Sequence, residues 1–380
     1  EKRRIFCYNG LNKDKGPVTD LEHNYNHFID MDDESVSQWN AIVTLAQDIK
    51  RRPGSYADKC RGKIMATLFY EPSTRTQMSF PAAMIRLGGS IIGFDNPGNS
   101  SVSKGENLKD TIKIVSTYSD ILVMRHSQEG SAKAAALCAD CPVINAGDGG
   151  HLHPTQTLTD LLTLKLELGR TDNLTIGLCG DLKNGRTVHT LLKALSCYQG
   201  NKFILISTPS LALPSYIKDV LIARGCEFTE VTTIDEVLPQ LDMLYMTRIQ
   251  QERFESREEY LRQKDTYCLT KDKMQFAKRV MIVMHPLPRV NEIDVAVDDD
   301  PRAAYFRQAN NGMYVRMALI LTILNNTPRT KPLFTGVTHP DVCCPNPRCV
   351  TQTEKYLPRK FRKFGDFLIC EYCDERILLK

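Results

Sequence analysis

The sequence predicts an α/β protein with two doubly wound parallel-sheet domains, followed by a small C-terminal domain built around four cysteines. Apolar runs of strand length alternate with helical patterns through most of the chain. Two such alternating sets follow one another, which favours two βαβ-rich domains of similar size. Five of the 13 cysteines lie in the last 38 residues, and four of these five form two closely spaced pairs.

The first set begins with an amphipathic helix from about Ser35 and continues with alternating strands and helices. Gly88-Gly89 stops the second helix, because glycine readily ends a helix. A segment of small residues over 96–106 is predicted to be a loop. Strands are predicted at 63–70, 90–94, 121–124 and 142–145, and helices at 73–87, 107–118 and 131–139.

A helix over 155–167 leads into the second set. Strands are predicted there at 174–179, 203–206, 227–231, 243–246 and 280–284, and a last helix at 302–325. These elements predict domains over 1–154, completed by a helix at 302–326, and over 155–301. A linker at 327–340 then joins the cysteine domain at 341–380.

Composition narrows the classes of function. The hydrophobic fraction of 42% and charged fraction of 25% are typical of globular proteins. No apolar run approaches the roughly 20 residues that span a bilayer, so we expect no membrane partner. A net charge of +4 is weak support for nucleic-acid binding but suits a small anionic substrate. Most cysteines before residue 343 are scattered, which favours reduced thiols in a cytoplasmic compartment.

The first candidate binding motif is Ser73-Thr74-Arg75-Thr76, placed at the predicted start of a helix. A helix N-terminus offers unpaired backbone N–H groups to an anion, the hydroxyls add donors, and a guanidinium grips two phosphate oxygens. The motif therefore predicts a phosphate site. The alternative is that Ser73 only caps the helix and Arg75 is a solvated surface charge.

Three further residues follow predicted strands or flank helix starts in the same region. Lys104 ends the small-residue loop, which resembles a mobile lid that carries one cation. Arg125 directly follows a strand, and His153 precedes a helix. An ordinary surface loop and a structural histidine are the alternatives.

In the second set, Arg186, Arg248 and Gln250 follow predicted strands. Guanidinium groups at one sheet edge suit a substrate with two carboxylates. The string His285-Pro286-Leu287-Pro288-Arg289 differs, because its prolines leave backbone carbonyls that can accept from an NH₂ group.

The pair Ser-Thr-Arg-Thr and His153-Pro154-Thr155-Gln156 resembles the aspartate carbamoyltransferase family over residues 1 to about 330. Ornithine-using relatives would show a cysteine where Pro286 stands. The resemblance implies transfer of a carbamoyl group from carbamoyl phosphate to L-aspartate, an early step of de novo pyrimidine biosynthesis. It also implies a homotrimer with shared sites.

The resemblance implies roles for the candidate residues. Arg75, Thr76, Arg125, His153 and Lys104 would be catalytic, with Lys104 supplied by a neighbouring subunit and no cofactor at the active site. Ser73 and Thr74 would also contact phosphate, while the choice between Ser100 and Ser101 stays open. Gln156 and the backbone of Leu287 and Pro288 would hold the carbamoyl NH₂, and the aspartate carboxylates would be bound by Arg186, Arg248 and Gln250.

The C-terminal cysteines form a C-x4-C pair and a C-x2-C pair, with 20 residues between the pairs. Four thiolates at this spacing are typical of a closed structural zinc site. The predicted ligands are Cys344, Cys349, Cys370 and Cys373, with Cys343 as an alternative. The tail resembles the zinc domain of the regulatory chain of some bacterial aspartate carbamoyltransferases, which implies a clamp on a neighbouring subunit and a possible higher assembly.

Two other functions compete with this interpretation. One is a carbamoyltransferase for another amino-acid acceptor. The other is a transferase-derived zinc ribbon that binds nucleic acid through the basic and aromatic residues at 355–364. Acidic residues in the same tail dilute that basic patch, so we expect no nucleic-acid partner.

Overall fold

A computed structural model describes residues 26–249, 256–258, 261, 266–326 and 332–379. The described chain forms two compact units. The first contains residues up to 33, 56–152 and 319–379, and the second contains 34–55 and 153–318. The domain limits inferred from the sequence, 1–154 with 302–326, 155–301 and 341–380, stay predictions.

The first unit is built on a four-stranded parallel sheet in the order β2-β1-β3-β4. Its central strand β1 is apolar and almost wholly buried, as expected for a parallel sheet covered by helices. The strands are β1 (Ile64–Phe69), β2 (Ser90–Phe94), β3 (Ile121–His126) and β4 (Val143–Asp148), and the helices are α2 (Thr74–Arg86), α3 (Leu108–Tyr118) and α4 (Ser131–Cys138).

The predicted loop over 96–106 is more ordered than expected. It contains two short 3-10 helices, Pro97–Asn99 and Ser101–Lys104. The side chain of Asn96 caps the first and that of Ser100 caps the second, so short polar residues that favour turns stabilise these single turns.

The second unit contains a five-stranded parallel sheet in the order β7-β6-β5-β8-β9. Its strands are β5 (Thr175–Cys179), β6 (Lys202–Ile206), β7 (Glu227–Val231), β8 (Met243–Met246) and β9 (Ile282–Met284). Its helices are α1 (Val36–Arg51), α5 (Pro154–Glu167), α6 (Arg186–Leu195), α7 (Ser215–Ala223), the single turn α8 (Lys271–Met274) and most of α9 (Tyr305–Asn325).

Local signals explain where α1 and α9 begin. Ser35 and Gln38 form a reciprocal capping box at the start of α1, as a Ser-x-x-Gln pattern favours. The predicted helix at 302–325 starts three residues later, at Tyr305. Arg302 is held outside it, since its guanidinium and backbone N–H both donate to Asp300 Oδ1 at 2.9 Å.

The C-terminal segment forms a four-stranded antiparallel sheet and belongs to the first unit. Its strands are β10 (Val337–Thr338), β11 (Lys360–Phe364), β12 (Phe367–Cys370) and β13 (Arg376–Leu378). Buried residues of this segment, which we call the tail, share one hydrophobic core with α4 and the first sheet. Within the described residues, no helix is both long enough and apolar enough to cross a membrane.

Candidate active site and metal centre

The predicted phosphate motif lies where β1 leads into α2. Ser73 is the N-cap of α2 in extended conformation, and the structure shows no capping hydrogen bond from its side chain in the described residues. The capping role considered as an alternative for Ser73 is therefore not seen. Thr76 is buried in the first turn, and Arg75 is exposed beside it. The first backbone N–H groups of a helix have no partner within the helix and can donate to an anion.

Arg125 joins this motif at the same edge of the sheet. β1 and β3 are parallel neighbours that pair Phe69 with Arg125, and the Tyr70 N–H donates to the Arg125 carbonyl at 2.8 Å. The Arg125 side chain is only 8% exposed, and its Nη1 donates to the Ala146 carbonyl at 3.3 Å. Among the described residues its buried Nε has no hydrogen-bond partner. A buried donor without a partner is costly, so a ligand anion would stabilise it.

The two arginines influence each other electrostatically. Burial lowers the pKa of Arg125, and the nearby Glu71 carboxylate partly opposes that shift. Burial also lowers the pKa of Arg75, and the positive charge of Arg125 lowers it further. Two guanidinium groups that repel each other in this way are well placed to share a doubly charged anion.

Glu71 forms an ion pair with Arg125. Its Oε2 lies 3.3 Å from Nη2 of Arg125. Glu71 lies two residues after the end of β1, so it reaches the neighbouring strand end of the same sheet, and this pair orients Arg125.

In the second unit the candidate residues follow β5, β8 and β9, which are neighbours in one parallel sheet. Gly180 directly follows β5 and has a positive φ of 117°, and a Cβ there would stand 2.4 Å from the Thr247 carbonyl oxygen. Thr247 Oγ1 in turn accepts from the Asp181 N–H at 3.0 Å. This close approach joins the loop that leads to Arg186 with the strand end that leads to Arg248.

The turn after β9 is built around a buried histidine. His285 is 2% exposed, and its Nδ1 accepts from the Leu287 N–H at 2.7 Å. Its Nε2 lies 2.7 Å from Glu292 Oε1. Leu287 has a positive φ of 53°, and the Leu287–Pro288 peptide bond is cis. The histidine therefore fixes the backbone whose carbonyls were predicted to bind an NH₂ group.

His153 and Gln156 lie at the start of α5, where His153 is the N-cap and is 7% exposed. The Gln156 Nε2 donates to Asp160 Oδ1 at 2.8 Å, one turn along the helix. Asp160 is completely buried and was not recognised from the sequence. An acidic residue four positions after Gln156 on an otherwise apolar helix face was the available signal.

The structure thus assembles the candidates in two groups, one in each unit. Ser73 to Thr76 and Arg125 share the edge of the first sheet, whereas Arg186, Arg248 and Leu287-Pro288 share the edge of the second. Lys104 is exposed at the end of its 3-10 turn. Gln250 lies outside the described residues.

The four predicted metal ligands come together in the tail. The Sγ atoms of Cys344, Cys349, Cys370 and Cys373 all lie within 4.8 Å of one another, and all four residues are buried. The Cys344–Cys373 and Cys349–Cys370 Sγ distances are 3.5 and 3.9 Å. Metal–sulfur bonds of about 2.3 Å in a tetrahedron require sulfurs roughly 3.8 Å apart, so the donor set fits one ion.

Other cysteines stay outside the metal centre. Cys343, the alternative ligand, is not part of the four-sulfur group. Cys138 and Cys141 have the spacing of a redox motif, but both are buried free thiols. Burial raises the pKa of each thiol to about 11, which makes both unreactive near neutral pH.

Comparison with protein families assigns each part of the chain. Residues 26–166 match the carbamoyl-phosphate-binding domain of aspartate/ornithine carbamoyltransferases, and residues 172–323 match the aspartate/ornithine-binding domain of the same enzymes. The chain belongs to the aspartate carbamoyltransferase family. Residues 335–379 match the metal-binding domain of the aspartate carbamoyltransferase regulatory chain.

Curated relatives agree with this assignment. The aspartate carbamoyltransferase catalytic subunit of Clostridium novyi is 59% identical over 298 residues, which is 78% of this chain and 97% of the relative. The corresponding subunit of Clostridium botulinum strain Eklund 17B is 58% identical over 299 residues, with the same coverage. The chain is therefore an enzyme, a carbamoyltransferase of the aspartate-using type.

Solved structures show the same fold. The catalytic subunit of M. jannaschii aspartate transcarbamoylase has a TM-score of 0.74 at 44% identity, covering 78% of this chain and 97% of its own. Trypanosoma cruzi aspartate transcarbamoylase in complex with carbamoyl phosphate and aspartate has a TM-score of 0.74 at 40% identity, covering 81% and 99%.

Proposed function

We propose that this chain transfers the carbamoyl group of carbamoyl phosphate to the amine of L-aspartate, an early step of de novo pyrimidine biosynthesis. The neutral amine forms a bond to the carbonyl carbon, the bond from that carbon to the phosphate oxygen breaks, and phosphate accepts the amine proton. One observation carries the proposal. Arg125, buried and with an unpartnered Nε, lies close enough to Arg75 to lower its pKa, beside the N-terminus of α2.

The phosphate of the donor is assigned to Ser73, Thr74, Arg75, Thr76 and Arg125, with Lys104 contributed by a neighbouring subunit of a homotrimer. The helix N-terminus and two guanidinium groups supply charge and donors matched to a dianion. The exposed position of Lys104 supports a role outside its own subunit.

The carbonyl oxygen of the donor gains negative charge as the amine attacks. We assign its stabilisation to Arg125, Thr76 and His153, which would act as preorganised donors. The carbamoyl NH₂ is assigned to Gln156 and the backbone carbonyls of Leu287 and Pro288. The fixed turn around His285 supports the last assignment, because it holds both carbonyls in one geometry.

The two carboxylates of L-aspartate are assigned to Arg186, Arg248 and Gln250. Arg186 and Arg248 follow neighbouring strands of one sheet, and guanidinium groups match carboxylates bidentately. The structure of Trypanosoma cruzi aspartate transcarbamoylase in complex with carbamoyl phosphate and aspartate supports the same pair of substrates.

We assign zinc to the four-cysteine site, because four buried cysteine sulfurs close enough to share one ion are typical of structural zinc. We also place the enzyme in a reducing cytoplasmic compartment, an assignment supported by the buried free thiols of Cys60, Cys138, Cys141 and Cys179. Higher assembly through the tail stays a proposal.

Formation of N-carbamoyl-aspartate by Arg75→Ala, Arg125→Ala and Arg248→Ala variants tests these assignments. The first two should lower kcat about 100-fold or more, because each removes donors from the leaving phosphate and the developing oxyanion. Arg248→Ala should raise KM for aspartate more than tenfold, because it removes a bidentate partner.

Arg86, the last residue of α2, is an exposed arginine on the same helix and gives a matched control. Arg86→Ala should leave kcat within about twofold. Wild-type activity in Arg75→Ala, or wild-type product formation with ornithine in place of aspartate, would contradict the proposal.

A further inference from the structure

A buried polar network in the second unit links parts of the chain that are far apart in sequence. Asp160 on α5 is its centre. Asp160 Oδ1 accepts from Gln156 Nε2 at 2.8 Å and from Gln308 Nε2 on α9 at 2.7 Å. Asp160 Oδ2 accepts from the Tyr245 hydroxyl on β8 at 3.0 Å. Asp160, Tyr245 and Gln308 are each at most 1% exposed.

The chemistry of these groups fixes the orientation of both glutamine side chains. The Oδ1 atom of Asp160 accepts from both glutamines, and a glutamine side chain donates only through its NH₂, so each glutamine turns its NH₂ toward Asp160. The amide oxygen of Gln156 then points away from Asp160. An oxygen acceptor is what the NH₂ of a carbamoyl group requires from this residue.

The network also reaches the turn after β9. Gln308 Oε1 accepts from the His285 backbone N–H at 2.9 Å, so both ends of this amide are held. His285 Nδ1 then accepts from the Leu287 N–H at 2.7 Å. A continuous chain of hydrogen bonds therefore runs from Gln156 through Asp160, Gln308 and His285 to Leu287.

The location of this carboxylate is energetically unfavourable on its own. Burial raises the pKa of Asp160 to about 7, against the opposing hydrogen bonds from Gln308, Gln156 and Tyr245. An apolar residue would stabilise the interface between α5 and α9 more simply. A carboxylate at this buried position is explained if its hydrogen bonds are needed to orient the side chains of Gln156 and Gln308.

We infer that Asp160 and Gln308 are positioning residues, which hold Gln156 and the His285–Pro288 turn together as one set of acceptors for the carbamoyl NH₂. This inference rests on the proposed function of Gln156 and of that turn. Neither positioning residue is required to touch substrate. Their effect depends on the acceptors that they orient.

The same two helices provide a matched control. One turn further along α5 and α9, the Asn311 Nδ2 donates to Thr163 Oγ1 at 3.0 Å, and both residues are completely buried. This bond joins the same helices at the same sequence separation of 148 residues as the Gln308–Asp160 bond. Among the described residues, the further side-chain hydrogen bonds of this pair run to Lys50 and to the Thr159 carbonyl, and not to Gln156 or the turn after β9.

Steady-state kinetics of the full chain test the inference. Gln308→Met and Asp160→Leu should each lower kcat/KM for carbamoyl phosphate at least tenfold, while KM for aspartate changes less than threefold. Asp160→Asn should recover most of the loss, because its Oδ1 can still accept from both glutamines. Asn311→Leu should lower the melting temperature but leave kcat and both KM values within about twofold.

A double-mutant comparison separates positioning from general destabilisation. If Asp160 acts through Gln156, Asp160→Leu should lower kcat/KM much less in a Gln156→Ala background than in the wild type. If Asp160→Leu lowers kcat/KM by the same factor in both backgrounds, the two residues act independently and the inference is overturned. Equal kinetic losses in Asn311→Leu and Gln308→Met would also overturn it. If Asp160→Leu does not fold, Gln308→Met alone decides the matter, and wild-type kinetics in that variant would overturn it.

The kinetics of the single variant Gln156→Ala distinguish this inference from the proposed role of Gln156, on which it rests. Full activity in Gln156→Ala would remove the proposed role of Gln156 and with it the inference. Impaired Gln156→Ala beside unimpaired Gln308→Met and Asp160→Leu would leave the proposed function standing and overturn only the positioning roles.

Discussion

Gly130 lies directly against Tyr372, and a Cβ at residue 130 would stand 2.5 Å from the Tyr372 Cβ. Gly130 is the N-cap of α4, and Tyr372 lies between two of the clustered cysteines of the tail. The tail therefore packs against its own chain at a point where no side chain fits. Contact with a neighbouring subunit, which the sequence suggested, stays a prediction.

Gly130→Ala should weaken this packing. The new methyl would overlap the Tyr372 backbone, and residue 130 has a positive φ of 84° that alanine rarely adopts. Overpacking and backbone strain together should lower the free energy of unfolding by about 3 kcal/mol. Urea unfolding monitored by circular dichroism measures this loss.

Gly62→Ala is the control for backbone strain. Gly62 has a similar φ of 76°, but a Cβ there meets nothing within 4 Å. Gly62→Ala should therefore lower the free energy of unfolding by about 1 kcal/mol, from backbone strain alone. Equal losses at the two positions would show that contact with Tyr372 contributes nothing.

The ion pair between Lys133 and Glu371 also holds the tail on α4. Lys133 Nζ lies 2.9 Å from Glu371 Oε2, and the Glu371 side chain is 2% exposed. Burial alone raises the pKa of Glu371, but Lys133 and hydrogen bonds bring it below its usual value. Lys133→Met should lower the free energy of unfolding by about 2–4 kcal/mol, because it removes the nearer of the two cations that face this buried carboxylate and leaves only Arg362, whose Nη1 lies 3.9 Å away.

Lys113 and Asp140 give an exposed pair for comparison. Their Nζ and Oδ1 atoms are 2.8 Å apart, but the side chains are 42% and 47% exposed. Lys113→Met should lower the free energy of unfolding by less than about 1 kcal/mol, because water solvates the remaining Asp140 carboxylate. Thermal unfolding of the two variants compares them, and similar losses would refute the role given to burial.

Metal removal should loosen the tail and expose α4. Four sulfurs within 4.8 Å are held together by the ion that we propose, and a segment this small depends on its metal for folding. Chelation, or Cys373→Ser, should release one metal ion per chain and speed amide exchange in α4. Mass spectrometry of the metal content and hydrogen–deuterium exchange measure both effects.

Cys197→Ser serves as the control, because Cys197 is exposed and lies outside the four-sulfur group. It should leave metal content and exchange unchanged. If α4 exchanges at the same rate with and without metal, the metal does not support the packing between tail and α4.

The inner strands were predictable because burial on both faces leaves nearly continuous apolar runs. The buried strand β8 has the predicted limits, whereas β9 starts two residues later than predicted, at Ile282. Val280 is 66% exposed, so an apolar residue at this strand end was taken for part of the strand. Apolarity alone does not mark where pairing begins.

Candidate site residues could be selected from the sequence where their chemistry is local in sequence. Ser73 to Thr76 and the cysteine pairs carry their signal within a few residues. Asp160 and Gln308 were missed because 148 residues separate them and their pairing depends on how α9 packs on α5. The packing of the tail was missed for the same reason, although the small residues of α4 were a sign of close approach.

The pH dependence of stability should reveal Asp160. Its pKa is about 7 in the folded chain against a usual value of 3.8, so between these pH values the folded state binds more protons than the unfolded state. Stability from this group is fully present below pH 4 and is lost as pH rises toward 7. From pH 5.5 to 7.5 the loss should be about 1–2 kcal/mol.

Asp160→Asn removes this titration while preserving the acceptor for both glutamines. The partners that face the group, Gln156, Gln308 and the Tyr245 hydroxyl, are neutral throughout this range, because the pKa of Tyr245 lies well above 10. The difference in unfolding free energy between wild type and Asp160→Asn should therefore change by about 1–2 kcal/mol between the two pH values. Urea titrations at both values measure it, and parallel curves for the two proteins would mean that Asp160 titrates normally.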